Sequence, residues 1–210
     1  MILINIKNYK IGSQVLDLVR TIDIYCNKAS IAVPATELKE ITKNTTLPVY
    51  LQHLDFHEQG RSTGFVIPEA AQAAGAQGSI INHAEHPISF KSIKATTQRC
   101  HELGLKVIIC VANIPELKKI IPLKPYAIAF EDPELIGTGK AISTTKPELL
   151  KEFIKLMAES PSISLCGAGI TSGQDVAQAL VMGCKGVLVS SVVANSQHPE
   201  KFLKEVSELF

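Results

Sequence analysis

The chain has 210 residues, 46% of them apolar, and its 21 Lys and Arg against 20 Asp and Glu leave a formal charge of +1. That length buries a sizeable core as one large domain. Near-neutral charge without long basic or acidic runs excludes a nucleic-acid surface or a solvating tail.

The elements alternate from the start. Ile2-Leu-Ile-Asn-Ile-Lys7 reads as a buried strand, and its period of two puts Asn5 and Lys7 on one face. A helix capped by Ser13 carries Val15, Leu18, Val19, Ile22 and Cys26 at helical spacing. Ser30 to Val33 is the second strand, followed by a helix through Leu38 and Ile41. Pro48 to His53 is the third. A polar loop from Phe56 to Gly64 then leads to a helix from Pro68 to Gly75. Ser79 to His83 is the fourth strand, and its helix runs from Ser89 to Leu103 with Gly104 as stop. Lys106 to Val111 is the fifth, with Pro115 opening a helix. Ala127 to Phe130 is the sixth, and Pro147 opens a helix through Leu150, Ile154 and Met157. Ile163 to Cys166 is the seventh, and Ser172 caps a helix through Val176 and Leu180 that ends at Gly183. Gly186 to Val189 is the eighth, and a last helix starts near Pro199 with Phe202, Leu203, Val206 and Phe210 inward.

Eight strand–helix units imply a parallel sheet with helices outside, closed into a compact (β/α)8 TIM barrel that occupies residues 1–210 as a single domain. The fold typically takes about 250 residues, so helices and loops are trimmed. The five cysteines are odd in number and lack a C-x-x-C spacing, as suits reduced core thiols in a cytoplasmic protein. The opening apolar run reaches Asn5 too soon for a signal peptide or membrane span, and no other stretch is long enough.

Function in such a barrel sits at the carboxyl ends of the strands. Asn5 and Lys7, His83, and Glu131 fall there, as do Gly167-Ala-Gly169 and Ser190-Ser191. After Glu131, Pro133 stiffens and Gly137 and Gly139 free a loop with the composition of a hinged lid. Small residues after strands seven and eight suit a phosphate held by backbone N–H groups. A carboxylate, an imidazole and an ammonium around a small phosphorylated carbonyl compound meet the needs of proton transfer α to a carbonyl, with no metal and no cofactor. Pro87 is placed to open a helix whose N-terminus would favour neutral imidazole at His83. Each residue also has a plain reading, as a structural histidine, a solvated lysine or an ordinary turn. Other chemistries lack their spacing: His83-Ala-Glu-His86 does not set two histidines on one zinc-binding helix face, and Gly167-Ala-Gly-Ile-Thr-Ser172 misses the third glycine of a dinucleotide loop. No G-x-S-x-G elbow is present.

Over essentially its whole length the chain resembles the triosephosphate isomerase family, in particular its compact archaeal branch. The motifs are Asn5-Ile-Lys7, Asn82-His-Ala-Glu85, Glu131-Asp-Pro-Glu-Leu-Ile-Gly-Thr-Gly139, Cys166-Gly-Ala-Gly-Ile170 and Gly186-Val-Leu-Val-Ser-Ser191. The resemblance implies interconversion of dihydroxyacetone phosphate and D-glyceraldehyde 3-phosphate, with Glu131 as base, His83 as electrophile, and Lys7, positioned by Glu85, stabilising the enediolate. This family is itself a standing example of a glutamate base paired with neutral histidine. Asn5 and Ile6 would join Lys7 in binding substrate. Ile136, Gly169, Ser190 and Ser191 would hold its phosphate. The family also sets Thr63 against a neighbouring subunit, implying a homodimer or homotetramer.

Three positions depart from the family pattern. Asp132 stands for the usual Pro, which sets a second carboxylate beside Glu131 and loosens the lid hinge. Ala84 replaces a serine and removes a hydroxyl partner for the base. Val192 replaces a glycine and is expected to crowd the phosphate loop. Two competing readings follow. One is another phosphate-binding barrel, such as a sugar-phosphate epimerase or a tryptophan-pathway synthase. The other is a degenerate barrel that binds triose phosphate or partners without catalysis.

Overall fold

The computed structural model describes residues 1–210. Eight parallel strands close in sequence order into one barrel. They are β1 (Ile2–Asn5), β2 (Ala29–Val33), β3 (Val49–Leu51), β4 (Gly78–Ile81), β5 (Lys106–Val111), β6 (Ala127–Phe130), β7 (Ile163–Cys166) and β8 (Gly186–Val189). The last strand returns to the first with Ile2 opposite Val187 and Ile4 opposite Val189. Outside lie α1 (Ser13–Tyr25), α2 (Leu38–Asn44), α3 (Pro68–Ala73), α4 (Phe90–Glu102), α5 (Ile114–Ile120), α6 (Ile142–Thr145), α7 (Pro147–Met157), α8 (Gly173–Met182), α9 (Ser191–Ala194) and α10 (Pro199–Ser207). None is long and apolar enough to cross a membrane.

Alternation along the strands divides the core in two. Leu3, Ala32, Tyr50, Ile80, Ile108, Cys110, Ala127, Ala129, Leu165 and Leu188 fill the barrel. Their neighbours, among them Ile2, Ile4, Ile31, Ile81, Ile109, Phe130 and Val187, face out and pack under the helices. The sheet is therefore buried on both faces, and this explains why its strands read as unbroken apolar runs.

The structure shortens three expected strands. β1, β3 and β4 end before Lys7, His53 and His83, because the polar residues there leave the ladder for the rim. It adds two short helices, α6 and α9, each of four residues and too brief to show a helical period. The helix after β4 starts where its capping residue was expected: α4 begins at Phe90, and Ser89 before it accepts a hydrogen bond from the Ser92 N–H at 3.1 Å, but Pro87 opens no helix.

Phe130 ends β6, one residue before Glu131, and its ring packs on Phe153 of α7 at 5.1 Å. Both are fully buried. Truncating Phe153→Ala should cost about 3–5 kcal/mol of stability, read as a lower urea midpoint at unchanged slope.

Candidate active site

Continuing the inward register past the last ladder residue brings Asn5, Gln52, Glu131, Gly167 and Ser190 to the barrel mouth. Asn5, Lys7, His83, Glu131, Ile136, Gly169, Ser190 and Ser191 line one pocket of about 230 Å³ there. That is smaller than the roughly 300–1,000 Å³ of sites for drug-sized ligands, so the occupant is small. Ile6 is the exception among the expected site residues. Its side chain points outward and is fully buried in the helix-facing core, because Asn5 and Lys7 take the inward positions. It leaves the pocket to its neighbours.

Lys7 adopts a left-handed backbone (φ 50°). Its N–H donates to Asn5 Oδ1 at 3.0 Å and its carbonyl accepts from Gln52 Nε2 at 3.1 Å. The ammonium reaches Glu85 Oε1 at 2.6 Å. Lysine and pocket are thus oriented from both ends of the residue.

His83 gains its aim from Asn82. Alternation after outward Ile81 would turn His83 outward too, but Asn82 is left-handed (φ 58°), a conformation asparagine tolerates better than most residues. Asn82 is held there by three bonds. Its Nδ2 donates to the Cys110 carbonyl at 2.9 Å and to Glu116 Oε1 at 2.8 Å, and its Oδ1 accepts from the Ile88 N–H at 3.1 Å. His83 then lies buried at the rim, and the Glu85 backbone N–H donates to its Nδ1 at 3.1 Å. A nitrogen that accepts carries no proton, so the imidazole is neutral and its hydrogen sits on Nε2. A backbone amide in the turn, rather than a helix N-terminus at Pro87, sets this state.

Glu131 Oε2 stands 3.5 Å from His83 Nε2. The carboxylate is buried, and Oε2 has no hydrogen-bond partner within the protein. An orphaned buried acceptor costs stability. Behind it Cys110 lies deep in the barrel. Burial, and then the charge of Glu131, hold its thiol well above the usual range and so protonated. Ala84, Cys110 and Glu131 border a second cavity of about 180 Å³. The methyl of Ala84 offers no hydroxyl there.

Two glycines permit close approach. A Cβ on Gly167 would lie 2.7 Å from Glu131 Cγ, and one on Gly169 would lie 1.9 Å from the Lys140 carbonyl where the lid returns. The lid is bonded within itself: the Leu135 N–H donates to the Asp132 carbonyl at 3.0 Å, and Thr138 Oγ1 donates to the Leu135 carbonyl at 2.8 Å. Asp132, expected to loosen its hinge, is held by two bonds. Its Oδ1 accepts from the Glu134 N–H at 3.0 Å and its Oδ2 pairs with Lys146 at 2.6 Å. Val192 does not crowd the pocket; it packs on the outer core.

Sequence reasoning missed Gln52 and Lys146, and it named Asn82 and Gly167 without their roles, aiming His83 and leaving room for Glu131. Asn82 had a visible signal, a polar residue beside the histidine at a strand end. The others act through contacts between distant segments. No group of three or more His, Cys, Asp or Glu side chains is arranged to hold a metal ion.

A parallel barrel with a buried carboxylate facing a neutral imidazole, a lysine alongside and a lid overhead defines an enzyme class that moves protons at carbon next to a carbonyl. The comparisons narrow this. The family model described as triosephosphate isomerase matches residues 1–208. Proteins named triosephosphate isomerase match at similar levels: 35% identity in Methanocaldococcus jannaschii over 98% of both chains, 36% in Sulfurisphaera tokodaii over 98% of this chain and 93% of that one, and 35% in Cenarchaeum symbiosum over 99% and 96%. The chain belongs to the triosephosphate isomerase family.

The close approach at Gly167 yields a test. Gly167→Ala should displace the Glu131 carboxylate by about 1 Å and lower kcat about 100-fold, while circular dichroism and cooperative melting persist. Steady-state kinetics on the folded variant would check it.

Proposed function

We propose that this isomerase interconverts dihydroxyacetone phosphate and D-glyceraldehyde 3-phosphate, with Glu131 as the base, His83 as the electrophile and Lys7 as the electrostatic stabiliser. Family membership supports the reaction. The observation that carries the residue roles is the orphaned Glu131 Oε2 facing the protonated nitrogen of a neutral His83 at 3.5 Å.

The chemistry follows from those groups. Glu131 takes a proton from the carbon next to the carbonyl, and the electron pair moves onto oxygen. His83 Nε2–H donates to the enediolate oxygens, and the Lys7 ammonium offsets their charge. Glu131, now protonated, returns the proton to the adjacent carbon. A neutral imidazole suits the task because its N–H is matched to a weakly acidic enediol. Asn5 Oδ1 is engaged by Lys7, which leaves its Nδ2 to bind a substrate oxygen. Ala168 and Gly169, both left-handed at the end of β7, line the pocket with their backbone. We assign the phosphate to Gly169, Ser190 and Ser191, with Ile136 covering it. Lid closure excludes water from the intermediate.

The reading includes a homodimer or homotetramer, with residues 1–210 acting as one domain. Exposed Phe56 and Phe65 in the third loop support an interface. So does a pocket of about 510 Å³ beside Lys7, lined by Tyr9, His53 and His86, which a neighbour's Thr63 loop would enter. A cytoplasmic location is supported by five unpaired, buried cysteines.

Shortening the base or removing the electrophile tests the roles. Glu131→Asp and His83→Gln should each lower kcat by about 10²–10⁴ with KM changed far less, since both act mainly in the transition state. Turnover like that of the unmodified enzyme in a coupled assay would remove the assignment.

A further inference from the structure

Asp132 is an unusual neighbour for a base. It is buried to 6% exposure, adjoins Glu131 in the chain, and starts the lid. A buried charge needs a partner. The partner is Lys146, whose Nζ lies 2.6 Å from Asp132 Oδ2 and 2.8 Å from Glu134 Oε2. The two bonds are unequal in weight. Glu134's side chain is 79% exposed and Asp132's 9%, so screening weakens the first far more than the second.

The position of Lys146 matters as much as its charge. It lies beyond the returning end of the lid, at the junction of α6 and α7, where its N–H donates to the Ile142 carbonyl at 2.9 Å. The ammonium therefore reaches back across the whole lid to its first hinge residue, 14 positions earlier. Asp132 Oδ1 meanwhile closes the turn onto the Glu134 N–H. Pro133 restrains the next position of the hinge, and at Asp132, which has no ring, side-chain bonds supply the restraint.

We propose that Lys146 is a positioning residue for the isomerase: it staples the two ends of the lid through Asp132, holding the Glu131 backbone and the lid in place while pairing the buried Asp132 carboxylate. This rests on the assignment of Glu131. Its consequence is read from the fate of the intermediate. An exposed enediolate phosphate loses its phosphate when the C–O bond breaks with the electron pair going to the phosphate oxygen, and the enol left behind takes up methylglyoxal structure by proton transfer. A loosened lid raises this loss.

The test measures inorganic phosphate released per isomerisation, together with kcat and KM. Lys146→Met should lower kcat about tenfold, leave KM within about twofold, and raise phosphate release per turnover about tenfold. Lys146→Arg should recover most of both effects. Should Lys146→Met not fold, Asp132→Asn with Lys146→Met removes the unpaired charge yet keeps the turn, and it should still leak phosphate. Phosphate release at the level of the unmodified enzyme in the folded variant, or no difference between Arg and Met at 146, overturns the proposal. Those outcomes strike the staple alone. An active Glu131→Asp would strike the base.

Discussion

Closing eight parallel strands into a ring forces every second side chain inward, and this constraint decides what the pocket contains. Leu3, Ile108, Cys110, Ala129, Leu165 and Leu188 obey it and plug the barrel. One step further along each strand the same rule delivers Asn5, Glu131, Gly167 and Ser190 to the mouth. The carboxylate thus stands on a floor of packed, buried apolar side chains, where electrostatic interactions exceed their strength in water. A rigid floor also allows the loops above it to vary.

The rule alone would not build the site. Lys7, Asn82 and Ala168 adopt left-handed backbones at the ends of β1, β4 and β7, a conformation costly for residues other than glycine. Lys7 and Asn82 are fixed by neighbours, Asn82 most plainly with its three side-chain bonds to the Cys110 carbonyl, Glu116 and the Ile88 N–H. The return on this local strain is direction. His83 leaves the strand pattern and faces Glu131, and one backbone N–H at its Nδ1 decides its protonation. Burial, strain and an unpartnered carboxylate oxygen concentrate within a few ångströms, as expected where stability is exchanged for function.

How much of this was legible in the sequence follows from how local each cause is. Eight apolar runs punctuated by glycine, proline and capping residues are local signals, and they revealed the barrel. Lys7, His83 and Glu131 were visible because each is polar where a strand runs out. Ile6 was misjudged by taking a motif whole instead of one residue at a time, for period two turns it away. The proton position on His83 depended on a turn whose helix starts at Ser89 and not at Pro87. Gln52 and Lys146 could not be found locally at all, nor could the close approach of Gly167 to Glu131, since the partners lie 45, 14 and 36 residues away in the chain. Asp132 is the instructive case. Read alone it is a missing proline and a loose hinge; with Lys146 beside it, it is a tethered one.

The account stands on three groups from different strand ends converging on one small ligand. A crystal structure with an unreactive phosphorylated enediolate mimic measures this directly. The prediction is a ligand whose oxygens lie within hydrogen-bonding distance of both Lys7 Nζ and His83 Nε2, whose central carbons face Glu131, and whose phosphate rests on Gly169, Ser190 and Ser191. A mimic bound elsewhere, or bound in this pocket with Glu131 turned away from its carbons, would contradict it.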